Sequence, residues 1–361
     1  MVMRQGAFPT GGADMARSRI GRETLKNMIE KISKSDLETM KQFFASLDAE
    51  CLDIEDTVLK RAIKLESEHI LKSRTDQRAL HYIANIMDML SGNRTGQLRD
   101  DTRYWKGYDQ VITDSLWILG NRAKEGVHKG WYWGNFVPQI PFQLISRYTK
   151  PGDWVIDPFC GSGTTLIEAA RLGRNSVGID INPEMVNAAR EALAEMPKGC
   201  PECKSLLFES DSRLIDIDRI RNDIGIEGFN LAILHPPYHN IIKFSGIDGD
   251  LSGARDTGQF MEWLGKSVDN VISAMLPNSF MGLVMGDMYR KGEVIPLGFM
   301  AMDALRSKGL SLKGIIVKDI QNNRAKRNSE ALWRYRAIRG DFYVFKHEYI
   351  FVFKVPPGSS I

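Results

Sequence analysis

Asp153-Trp-Val-Ile-Asp-Pro-Phe-Cys-Gly-Ser-Gly-Thr-Thr-Leu-Ile-Glu168 decides the fold of this chain. The apolar triplet Trp154 to Ile156 reads as a short buried strand that stops at Asp157. Small residues, Gly161, Ser162 and Gly163, then open a helix at Thr164 and Thr165. Glycine lets a backbone approach a ligand closely, and in open parallel sheets ligands sit beyond the carboxyl ends of the strands. A second strand, Ser176-Val-Gly-Ile179, ends at Asp180 and is followed by Ile181. Asp180 lies 19 residues after Gly161, near the offset of about 20 expected for a carboxylate that binds ribose hydroxyls. A dinucleotide site is disfavoured. Position 166 is Leu, where G-x-G-x-x-G needs its third glycine, and no G-x-x-x-x-G-K-[ST] loop occurs.

Outward from this stretch, short apolar runs alternate with helical periods. Strands are expected at 231–234, 281–285, 314–317 and 349–353, with helices over 163–172, 183–195, 257–275 and 296–308. Such alternation specifies an α/β fold, a mainly parallel sheet with helices on both faces. Residues 318–346 read as basic and irregular. Residues 16–120 read as a helical accessory region without a catalytic motif, with apolar positions three and four apart at Leu37, Met40, Phe43, Phe44 and Leu47. Residues 1–15 read as a disordered leader, and 121–355 as the catalytic domain.

Composition is that of a globular protein: 43% hydrophobic, 26% charged, net charge +3. Four cysteines do not make a disulfide framework in 361 residues, so a reducing cytoplasm is expected. Cys200-Pro-Glu-Cys203 supplies only two ligands of a four-ligand zinc site and reads better as a tight turn, so no metal is expected. Between Lys318 and Lys346 eight basic residues face three acidic ones, interleaved with Trp333, Tyr335, Phe342 and Tyr343. Cations among aromatics suit a phosphate backbone and an unstacked base. Arg324, Lys326, Arg327, Arg334 and Arg336 are therefore candidate nucleic-acid contacts.

The second informative stretch is Asn230-Leu-Ala-Ile-Leu-His-Pro-Pro-Tyr238, an apolar strand running straight into two prolines and an aromatic ring. Adjacent prolines fix the backbone, so the carbonyl before them points outward. Asn240, Lys243, Phe244 and Ser245 follow as candidate walls of a target pocket, with Lys243 also a candidate nucleic-acid contact. Gly286-Asp287 ends another strand as a candidate support of this turn; His347-Glu348 precede the last strand, where a surface position and one behind the site are equally open.

Asp157 to Thr165 resembles the D-P-F-x-G-S-G-T-T signature of DNA amino-methyltransferases, and His235-Pro-Pro-Tyr238 is similar to the [DNS]-P-P-[YF] pattern of the same family. The segment Gly134 to Pro141 and Arg147 to Asp153 also resembles the part preceding that signature. The resemblance covers about 125–354. It implies a Rossmann-like S-adenosylmethionine-dependent methyltransferase fold with a mostly parallel seven-stranded sheet. By the same resemblance Asn135, Phe136, Pro138, Asp157, Pro158, Phe159, Gly161, Ser162, Gly163, Thr164, Thr165, Asp180, Ile181 and Asp211 bind S-adenosylmethionine. His235, Pro236, Pro237 and Tyr238 would carry catalysis. The implied reaction is direct in-line methyl transfer to the exocyclic amino group of adenine (N6) or cytosine (N4) in double-stranded DNA. Tyr238 would stack on a base flipped from the duplex. A cognate restriction endonuclease is a candidate partner, and the enzyme would be a monomer or homodimer.

His235 departs from the family pattern and forfeits its clue to the target base. A neutral imidazole accepts one hydrogen bond and a protonated one accepts none. We expect His235 to act neutral, as acceptor or proton relay. Activity should then fall at acid pH, and a flat profile down to about pH 5 would count against that role. A cytosine C5 enzyme is disfavoured, since the only nearby cysteine, Cys160, sits in the glycine loop. An RNA base amino-methyltransferase is the alternative.

Overall fold

A computed structural model describes residues 19–47, 52–54, 57–91, 110–123, 127–128, 136–197, 203–238, 245–290, 292–320 and 330–357. The expected leader and the site residues Asn135, Lys243, Arg324, Lys326 and Arg327 lie outside them, as do Cys200, Asn240 and Phe244. The chain divides into two units, Met1–Gln110 and Val111–Ile361.

The first unit is built from amphipathic helices. These are α1 (Arg22–Ile32), α2 (Leu37–Ser46), α3 (Thr57–Leu71) and α4 (Asp76–Ser91), with two short strands, β1 (Ile20–Gly21) and β2 (Leu52–Asp53), paired in parallel. Leu25, Ile29, Met40, Phe44, Ile63, Ile83 and Ile86 recur at three- and four-residue spacing and close its core. Asp36 caps α2 by accepting from the Thr39 amide at 2.8 Å.

The second unit carries the sheet. Its elements are β3 (Leu116–Trp117), α5 (Gln139–Tyr148), β4 (Trp154–Asp157), α6 (Thr164–Arg171), β5 (Asn175–Asp180), α7 (Pro183–Ala194), β6 (Ser205–Glu209), α8 (Ile217–Ile224), β7 (Phe229–Leu234), α9 (Thr257–Ile272), β8 (Met275–Met285), the hairpin β9 (Met288–Arg290) and β10 (Glu293–Ile295), α10 (Leu297–Ser307), β11 (Ser311–Asp319), α11 (Glu330–Arg339) and β12 (His347–Lys354). Eight strands run in the order β3-β11-β12-β8-β7-β4-β5-β6. From β8 to β6 all neighbours are parallel, whereas β12 is antiparallel to both β8 and β11.

Both faces of the sheet are covered. Ile156, Ala232, Leu234, Phe351 and Phe353 pack towards α8, α9 and α10. Their neighbours in sequence, Val155, Leu231, Ile233, Ile350 and Val352, pack towards α5. That two-sided burial is why these strands read as unbroken apolar runs.

Two expectations need correction. The sheet has eight strands rather than seven, because the two-residue β3 adds to the edge at β11; it is mostly parallel, as expected, with β12 antiparallel to both its neighbours. Residues 318–346 are not irregular: β11 continues to Asp319, and α11 occupies part of the remainder. Within the segment before β4, Gln139–Tyr148 form the helix α5. Pro141 sits in its first turn, where a missing N–H costs no intrahelical bond.

Candidate active site

The strand order reverses direction between β4 and β7, and there the two motifs meet. These strands pair in parallel through Val155 with Leu231 and Ile156 with Ala232. Asp157 and His235 therefore leave the sheet side by side at its carboxyl edge, the usual place of a ligand crevice.

The glycine loop is tied to the carboxylates around it. Asp157 is 1% exposed. It accepts the Thr165 hydroxyl at 2.5 Å and the Phe159 amide at 3.0 Å. Burial, with the Asp180 charge adding to it, pushes its carboxyl up to about 7. Asp180, at the end of β5, accepts the Gly161 amide at 2.8 Å and the Asn182 amide at 2.9 Å. Burial raises it to about 6. Gly163 has φ +85°, and a Cβ there would lie 2.9 Å from that of Ala189, so this N-cap of α6 excludes other residues. Pro158 is buried, and Phe159 packs against the sheet core. Ser162 and Thr164 line a cleft with His128, Ile167 and Glu191 between α6 and α7.

Asp211 follows β6 and is held by Arg213, Nη2 to Oδ2 at 2.5 Å. The guanidinium lies 4.1 Å from the centre of the Trp263 ring. Gly249, at φ +96°, fits against this pair: a Cβ there would sit 2.5 Å from Arg213 Nη2, 2.8 Å from Asp211 Oδ2 and 3.4 Å from Ile181 Cδ1. Asp250 next to it accepts both the amide and the hydroxyl of Ser245 at 2.9 and 2.6 Å. This loop thus closes over the ends of β5 and β6.

At the end of β7, the His235 ring lies against Phe136, with centroids 4.7 Å apart. Its Nε2 is 3.2 Å from the Tyr238 hydroxyl. That hydroxyl donates to Glu348 Oε2 at 2.8 Å, and Lys318 Nζ donates to Glu348 Oε1 at 3.0 Å. Lys318 and Glu348 are directly opposed in the β11–β12 ladder and are both buried. Burial, with a smaller contribution from Lys318, drives the His235 imidazole down to about 4 against the opposing pull of Glu348. Burial acts to raise Glu348, but Lys318, His235 and Tyr238 together hold it below its ordinary value. Burial and the neighbouring Glu348 push the Tyr238 hydroxyl well up. Tyr238 lies over Gly286 at the end of β8, where a Cβ would come within 3.0 Å of the ring.

Among known proteins, residues 52–191 match the model of a family described as DNA methylase, N6_N4_Mtase. The resemblance to the DNA amino-methyltransferases stands. The Type II methyltransferase M.MthZI of Methanothermobacter thermautotrophicus is 50% identical over 102 residues, 28% of this chain and 29% of that protein. The Type II methyltransferase M1.MboII of Moraxella bovis is 34% identical over 28% of this chain and 41% of its own length. A tRNA (guanine(10)-N2)-dimethyltransferase of Methanocaldococcus jannaschii is 22% identical over 66% of this chain and 69% of that protein. The chain thus spans less than half of the two Type II relatives. TrmN from Thermus thermophilus aligns with a TM-score of 0.39 at 17% identity, over 62% of this chain and 50% of that one.

The cofactor that accompanies a DNA methylase match is S-adenosylmethionine, and the donor set fits it. Carboxylates end the neighbouring strands β4 and β5, a third follows β6, and a glycine loop lies between the first two. Arg334 and Arg336 are exposed on α11, and the Arg336 guanidinium lies 5.5 Å from the Trp333 ring. The Tyr289 hydroxyl of the hairpin donates to Gly340 after that helix at 3.3 Å. Lys318 counted in the basic run but is internal, committed to Glu348. Sequence reading missed Lys318 and Arg213 as site residues; Ser245, read as a wall of the target pocket, is bound to Asp250 in the structure, and Glu348 stands behind Tyr238. Nothing in the sequence marked Gly249 or Trp263. Among the described residues no group of side chains is arranged to hold a metal ion, and no helix is long and apolar enough to cross a membrane.

Proposed function

We propose that this chain moves a methyl group from S-adenosylmethionine to the exocyclic amino group of a base in DNA, N6 of adenine or N4 of cytosine. The observation carrying this reading is the pairing of β4 with β7, which sets the Asp157–Thr165 loop beside His235-Pro-Pro-Tyr238. When bound, the cofactor supplies an electrophilic methyl: the amine lone pair forms the new N–C bond, the C–S pair stays on sulfur, and the nitrogen sheds one proton.

The residues of the chain position and polarise. Asp180 and the glycine loop hold the ribose, and Asp211 with Ile181 and Gly249 flanks the adenine. Phe136 closes over the methionine side. An exocyclic amine is a weak nucleophile because its lone pair delocalises into the ring. Acceptors fixed against its hydrogens, the carbonyl of Pro236 and the imidazole of His235, localise that pair on nitrogen. The target base must leave the helical stack to reach this crevice. Tyr238, whose hydroxyl is tied to Glu348, offers only its ring to such a base. α11, with exposed Arg334, Arg336, Leu332, Tyr335 and Ile338, is the surface we assign to the DNA backbone and its unstacked bases.

One observation favours a second reading. The tRNA (guanine(10)-N2)-dimethyltransferase resemblance runs over 66% of the chain, and a guanine N2 amine needs the same acceptors. Labelled methyl transfer to unmethylated DNA and to unmodified tRNA, followed by nucleoside analysis, separates the two. N6-methyladenine or N4-methylcytosine in DNA supports the first reading. Label confined to guanine in tRNA replaces it with the second, and no transfer to either refutes both.

A further inference from the structure

His235 has two ring nitrogens, and the structure accounts for one. Nε2 faces the Tyr238 hydroxyl, while Nδ1 has no hydrogen-bond partner among the described residues. Which nitrogen carries the proton follows from the groups behind Tyr238. Glu348 receives Lys318 on one oxygen and Tyr238 on the other. An ionised carboxylate only accepts, so the single Tyr238 proton points at Glu348. The hydroxyl oxygen is then left as an acceptor, and the atom facing it, Nε2, must donate. Nδ1 keeps its lone pair.

We propose that Lys318 and Glu348 are positioning residues that, through Tyr238, fix His235 as the Nε2–H tautomer, so that Nδ1 is the acceptor offered to the target amine. This rests on the function proposed above for the role of Nδ1, but the tautomer itself does not depend on it. The arrangement supplies what the missing Asp, Asn or Ser oxygen would have supplied at position 235. The path is built across three strands. Lys318 on β11 opposes Glu348 on β12, and Glu348 reaches past the end of β8 because Gly286 has no side chain to displace the Tyr238 ring. The charged groups that act on the imidazole are Glu348 and Lys318, and Phe136 covers a ring face. A histidine oriented by a hydrogen bond to its far nitrogen follows the same logic as ligand histidines held by a second partner.

The test is nitrogen-15 NMR of the imidazole rings in the full chain at neutral pH, without substrate. The spectrum of His235→Gln identifies the His235 signals among the six histidines. We expect a protonated Nε2 and a bare Nδ1. In Glu348→Gln the Tyr238 proton is free to turn towards Nε2, so the two nitrogen signals should converge. In that variant kcat for methyl transfer should fall at least tenfold, with cofactor Kd changed less than twofold. Lys318→Met should move both readouts the same way and serves if Glu348→Gln does not fold. An Nδ1–H tautomer in the unaltered protein overturns the proposal, and so does an unchanged tautomer in both variants. Absence of methyl transfer by the unaltered protein would refute the proposed function instead, and the spectrum would still decide the tautomer.

Discussion

The Phe136 ring lies against the His235 imidazole at a centroid distance of 4.7 Å. One residue precedes α5 and the other follows β7, so the segment upstream of the glycine loop and the catalytic turn share a wall. Phe136 is 8% exposed and belongs to the core between α5 and the sheet. Under the function proposed above, closure over the cofactor and orientation of the His235 ring would be one packing event.

Phe136→Ala should test that coupling. Truncating a buried phenylalanine costs about 3–5 kcal/mol where the site cannot collapse, and one wall here is an active-site ring. We expect a fall in Tm together with at least a tenfold loss of kcat. A melt and a turnover assay on the same preparation check it, and a loss of stability with full turnover would separate the two roles.

For His235, the acid limb moves. From sequence, a neutral imidazole implied loss of activity as pH fell through the ordinary histidine range. Burial places its protonation near 4. The acceptor form therefore persists down to about pH 5, and kcat should be flat from pH 8 to 5 as far as this residue is concerned. A flat profile, which the sequence reading counted against an acceptor role, is what the geometry demands. A drop centred near 6.5 would contradict it.

Asp157 gives a stability signature of known sign. Its folded value of about 7 stands above the ordinary 3.8, so between these values the folded chain binds a proton that the unfolded chain has released. Its contribution is complete below the unfolded value and is lost as pH rises to about 7. Asp157→Asn cannot titrate, so its Tm relative to the unaltered protein should climb from pH 4.5 to 7 and level off above. Melts without cofactor across that range measure it, and a constant difference would rule it out.

Gly249→Ala should disturb the adenine side. A methyl at φ +96° is strained, and it would lie 2.5 Å from Arg213 and 2.8 Å from Asp211. Calorimetry should show S-adenosylmethionine binding weakened by tenfold or more. Unchanged affinity would remove this loop from the cofactor site.

Replacing Arg334 and Arg336 with Ala should weaken nucleic-acid binding without altering cofactor affinity. Each lost phosphate contact lowers the dependence of log K on log salt by about 0.9 for duplex DNA. Fluorescence anisotropy over a salt series gives the slope. An unaltered slope would place the DNA elsewhere.

Much of this was legible because two strings encode backbone as well as chemistry. Asp157 to Thr165 fixed a strand, a turn and a helix start, and each lies within a residue of its expected place. Helices α7, α9 and α10 carry a plain period of three to four. β6, whose apolar run is only Leu206 to Phe208, lies half-buried at the sheet edge and went unread. α11 escaped because it is almost wholly exposed and so has little apolar stripe. The Lys318–Glu348 pair was out of reach for another reason: 30 residues separate its members, and only the register of the β11–β12 ladder sets them opposite each other.

That ladder also has a meaning in time. β12 is the last strand of the sheet to leave the ribosome, yet it lies inside the sheet, between β8 and β11. Until it arrives, both of those neighbours present bare edges, and Glu348, which anchors Tyr238, does not yet exist. A growing chain can form the cofactor half of the fold from β4 to β6 early, with local parallel crossovers. It cannot orient the catalytic turn until this final strand slots in. Under the function proposed above, the catalytic turn would gain its Glu348 anchor only with the entry of this antiparallel strand between its two neighbours.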